Sequence, residues 1–89
     1  MMTRLESAAV NVARHREQAL KSLRKRAEYL HDRMARLMGE CDKALAGESY
    51  AINSLGEVGS AGLDIDLACG RVRHVEETVN LLKWLTAAD

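Results

Sequence analysis

Glu28-Tyr29-Leu30-His31 sets a carboxylate and an imidazole three residues apart, the Glu-x-x-His step by which one helical turn aims two metal ligands to the same side, as in di-iron carboxylate centres. Such a centre needs a second step and two further glutamates. The only other candidate, His74 followed by Glu77, runs in the reverse order. No metal is therefore expected. Cys41 and Cys69 form no Cys-x-x-Cys pair, so structural zinc has no support. Cys41 is expected as a small core residue, while Cys69 is expected beside the apolar seam and partly exposed. His15, His31 and His74 lack the Ser or Asp context of a triad. Gly56, Gly59 and Gly62 are spaced like a phosphate loop but follow helical sequence and carry no Lys, so they are read as a turn. Neither catalysis nor a cofactor is expected.

Positive charge is the other feature with chemical potential. Between Arg14 and Arg36 stand eight basic residues against three acids, and from Leu37 to Asp89 nine acids against four bases. Arg14, Lys21, Lys25 and Arg36 share an outward helical face that is able to lie along phosphates. The whole chain is nevertheless neutral, with a pI of about 6.8, whereas dedicated nucleic-acid binders show pI above ~9. Its aromatic set is only Tyr29, Tyr50 and Trp84, too few to stack single-stranded bases. Opposite charges satisfying each other, within a hairpin or between two copies, are the leading expectation. Nucleic-acid contact through the four basic residues is the alternative.

The elements that must carry these residues are helices. Eighty-nine residues, no Pro, no Phe and 47% hydrophobic content argue against a sandwich or barrel and set the scale at one domain, residues 1–89. No apolar run approaches the ~18–20 residues of a membrane span. The opening MMTRLES lacks the apolar core of a signal peptide, so a cytoplasmic chain without membrane contact is expected. Leu20, Leu23, Ala27, Leu30, Met34, Leu37, Cys41 and Ala44 step alternately by three and four, a coiled-coil seam. It reaches back through Arg16, Ala13 and Ala9, with Leu5 and Val12 alongside. Helix 1 is placed at about 3–46, or as far as 55, with Thr3 or Ser7 as its cap. A short separate helix at about 49–55 is the other reading of the connection. The glycine-rich turn is placed at about 56–62.

Helix 2 is placed at about 64–87, with Ile65, Ala68, Val72, Val75, Val79 and Leu82 as its seam and Asp64 or Ser60 as its cap. Gly70 within it implies close approach of another helix, with a local kink as the competing reading. Helix 2 would then be some twenty residues shorter than helix 1, leaving the apolar N-terminal stretch of helix 1 uncovered. The fold class expected is an all-α, long antiparallel helical hairpin assembling as a dimeric bundle. Its contact residues, for a second copy or a protein target, are Leu5, Val12, Arg16, Leu20, Leu23, Leu81, Trp84 and Leu85. Arg16 on the seam would either snorkel to the rim or pair with a carboxylate that fixes the register. Trp84 is either core or an exposed anchor. The function expected is a non-catalytic adaptor or inhibitor of another protein. By analogy of size and architecture, it would be of the kind that phages and plasmids encode.

Overall fold

The computed structural model describes residues 3–48 and 51–87. They form two helices, α1 (Arg4–Leu45) and α2 (Leu55–Ala87), packed as an antiparallel hairpin. The molecule measures 68 × 21 × 14 Å, with a radius of gyration of 20.2 Å. A compact chain of this length would have a radius of roughly 12 Å. There is accordingly almost no interior. Among the described residues only Ala61, Ala68 and Ser54 are buried.

α1 starts where Thr3, in an extended conformation, accepts a hydrogen bond from the Glu6 N–H on its Oγ1 at 3.1 Å. This satisfies one of the free donors of the first turn. The flank carries the i,i+4 ion pairs Glu17–Lys21 (3.0 Å) and Arg24–Glu28 (3.3 Å). The helix ends through Ala46 into Gly47, whose φ of +85° is the one left-handed position among the described residues. A side chain is strained there, and glycine is not.

The expected turn at 56–62 is not a turn. Those residues form the first part of α2, which begins at Leu55 rather than about 64. Ser60 and Asp64 therefore lie inside the helix and do not cap it. The alternative short helix at 49–55 falls partly on Ser49 and Tyr50, outside the described residues, and residues 51–53 are not helical. Glycine permits a turn without requiring one. The seam of α2 continues backwards from Ile65 through Ala61, Val58 and Ser54 in the same steps of three and four. Packing along that seam outweighs a helix cost of about 1 kcal/mol per glycine.

The earlier start adds nine residues to α2, which now runs almost the full length of α1. Arg33 meets Glu57, Arg26 meets Asp64 and Arg16 meets Glu76. Leu5 and Val12 are half-buried. The N-terminal overhang expected from the sequence is absent. Gly70 is not approached by α1 either, because a Cβ built there would meet nothing within 4 Å.

Two glycine substitutions should move stability in opposite directions. Gly47→Ala places a side chain at positive φ and should cost about 1 kcal/mol or more. Gly59→Ala, helical and in open space, should add about 0.5–1 kcal/mol. Thermal denaturation followed by circular dichroism reads both.

Candidate protein-interaction surface

Seen from α1, the inner seam has two columns. One is apolar, with Leu23, Leu30 and Leu37 half-buried against α2. The other runs through Leu5, Val12, Ala19, Arg26, Arg33 and Glu40, seven residues apart, apolar at first and charged from Arg26 onward. The charged members of this second column all have partners on α2 or just before it. Arg26 stands 3.8 Å from Asp64 and also donates to Ser22 Oγ. Arg33 donates to Glu57 at 3.0 Å, and its guanidinium lies 4.8 Å from the centre of the Tyr29 ring. The Arg33 Nε is buried with no hydrogen-bond partner, a cost that the carboxylate and the ring offset.

Glu40 closes the column at the connection. Its carboxylate accepts from the Asn53 N–H (3.0 Å), the Ser54 N–H (3.1 Å) and the Ser54 Oγ (2.8 Å). Two of these donors are backbone N–H groups just ahead of α2, where helical N–H groups have no partner of their own. Burial alone would raise the Glu40 carboxyl. The Ser54 and Asn53 hydrogen bonds and the charge of Arg36 outweigh it and hold the carboxyl below the usual carboxylate range.

With charged residues turned toward α2, the apolar residues one position further on face away from it. Leu20, Met34 and Cys41, expected in the seam, are exposed, and Ala44 likewise. Ala27 stays half-buried. Met38 is 65% exposed and joins this flank with Leu45, and from α2 comes Leu55. The result is an apolar strip on one side of the hairpin, concentrated toward the connection. Gly59 and Gly62 extend it on α2, and with open space over both positions another chain can approach closely.

The contact residues expected from the sequence divide by environment. Leu5, Val12 and Leu23 are half-buried between the helices, and Arg16 pairs with Glu76 at 2.5 Å. Leu20 lies on the exposed strip. Leu81, Trp84 and Leu85 are exposed on α2, Trp84 by 68%, so the indole is not core within the hairpin. Cys69 is exposed. Met34, Met38, Leu45 and Leu55 were not singled out as contacts. Their signal was in the sequence, because Arg26, Arg33 and Glu40 repeat by seven and are answered by Glu57 and Asp64, also seven apart.

Arg14, Lys21, Lys25 and Arg36 are all exposed along α1. Acids interrupt that face: Lys21 pairs with Glu17, and Glu28 and Asp32 stand seven residues past Lys21 and Lys25. Among the described residues no group of three or more His, Cys, Asp or Glu side chains could hold a metal ion. No helix among them is long and apolar enough to cross a membrane.

No family model, curated protein or solved structure matches this chain. The surface itself must carry the functional reading.

Glu40 yields a pH-dependent prediction. A carboxyl depressed in the folded state contributes stability that is fully present above the ordinary glutamate value of about 4.3, and that is lost as pH falls through the folded value. Glu40→Gln should lower the Tm at pH 7, and its difference from the native chain should shrink as pH falls below about 4. Melting curves across that range measure it.

Proposed function

We propose that this chain is a non-catalytic protein-binding hairpin, an adaptor or inhibitor whose working surface is the apolar strip around Met34, Met38 and Leu55. The exposure of these large side chains on a rigid helical pair carries the reading. Exposed apolar side chains clustered on one flank of a helical pair mark a site where water is to be displaced by a partner. An amphipathic helix presenting residues at spacings of three and four fits such a surface. Methionines suit the role because their flexible, polarisable side chains adapt to a partner's shape. Small residues at Gly59 and Gly62 let the incoming backbone lie close to α2.

On this reading the partner is a protein segment and the contact is apolar, so raising salt should change the affinity little. The basic face of α1 plays a secondary, steering part. Cross-linking in the source cell from a photoreactive residue at position 38 identifies the partner, and titration of that partner measures it. Met34→Asp should weaken binding at least roughly tenfold, because a charge is then buried without a counter-ion. Replacing Arg14, Lys21 and Lys25 together with Ala should change it less than about threefold. If the triple replacement abolishes binding instead, and affinity falls steeply with salt, the ligand is a polyanion and the protein-binding reading is wrong.

A further inference from the structure

α2 is apolar on two opposite sides. Its inner side packs on α1 through the seam from Ser54 to Leu82. Its outer side carries a second series, beginning at Leu63 and Leu67 and ending at Leu81 and Trp84, all more than half exposed. Between them lie Gly70, His74 and Glu77, so the steps are again four and three throughout. A helix with apolar residues on both sides belongs inside an assembly, between two neighbours. The hairpin supplies only one.

We infer that the second neighbour is the same helix of a second copy, lying antiparallel across a twofold axis beside His74. The order of residues along the outer side selects this occupant. It reads apolar, polar, apolar, and is nearly symmetric about its midpoint. In the antiparallel register Leu63 meets Trp84, Leu67 meets Leu81, small Gly70 faces long Glu77, and His74 lies beside its own counterpart. The contact is isologous and therefore closed. The paired stretch is roughly 32 Å long at 1.5 Å per residue.

Charge agrees with the same register. Among the described residues Arg73 and Glu77, which flank the outer side, have no ion-pair partner within the chain. Antiparallel pairing brings Glu77 close to Arg73 of the second copy, twice by symmetry. A parallel pair would instead set Glu77 beside Glu77, with aligned helix dipoles. Gly70, which α1 does not approach, gains a neighbour that needs its missing side chain. This surface is separate from the strip around Met34, so the two can be tested apart.

Sedimentation equilibrium of the full chain at micromolar concentration should give twice the 9.9 kDa of one chain. Leu67→Asp and Trp84→Asp, exposed in the hairpin, should keep the helical circular dichroism and raise the dimer dissociation constant at least roughly tenfold. Met34→Asp should leave that constant unchanged. Glu77→Arg should weaken the dimer, and adding Arg73→Glu should restore it. In a chain with Cys41→Ser and Cys69→Ser, His74→Cys should form a disulfide-linked dimer under mild oxidation, and Ala35→Cys on the far side of α1 should not. A mass of one chain throughout would overturn the inference. So would a dimer indifferent to Leu67→Asp, or one cross-linked through Met34→Cys and not through His74→Cys.

Discussion

The column Ala19, Arg26, Arg33 and Glu40 governs how this hairpin is put together. Its last three members are charged, and each finds its partner on or immediately before α2. Individually the exposed pairs contribute at most about 1 kcal/mol. Their effect is on rotation and register. Holding the charged column toward α2 turns α1 about its axis, so that the neighbouring column of Leu20, Met34 and Cys41 faces solvent. The same contacts fix which residues oppose each other, from Glu40 at the connection to Arg16 opposite Glu76 near the far end. Position, exposure and the open strip all follow from that choice.

A two-helix hairpin built this way is incomplete on physical grounds. Among the described residues its buried apolar side chains are two alanines, with no large side chain removed fully from water. At roughly 25 cal/mol per Å² of apolar area, half-burial of the valine and leucine rows yields little surplus over chain entropy. In the proposed dimer, completion through the outer side of α2 would leave the strip on the flank free for a different protein. The two surfaces would then have distinct tasks, one holding copies together and the other holding a partner.

Much of the hairpin was legible in the sequence. The seam of α2 from Ile65 to Leu82 lies against α1 at every position, because its branched apolar residues recur in steps of three and four with no charge among them. The row Leu23, Leu30 and Leu37 was equally plain. The sister column was not, since hydrophobicity favours Leu20, Met34 and Cys41 over two arginines and a glutamate. Within α1 only Leu5, Val12 and Ala19, which repeat by seven into Arg26, point to that column, and the charges on α2 complete the signal. The glycines misled for a related reason. Gly56, Gly59 and Gly62 are poor helix formers taken alone, yet the Ser54, Val58 and Ala61 seam between them packs on α1. Gly47, the position that does need positive φ, was hidden behind an apolar connection. With the start of α2 misplaced, the supposed overhang of α1 followed, and an unpaired surface was assigned to the wrong end.

Cys41 reports on the central claim directly, because it lies in the column that the charged contacts turn outward. In the Cys69→Ser chain its reaction with a water-soluble disulfide reagent gives the accessibility of that column alone. An exposed thiol should react within roughly tenfold of the rate of an unstructured cysteine, without denaturant. A Cys41 that reacts only when the protein is unfolded would show that column packed inside, with the arginines facing water, and would contradict the account.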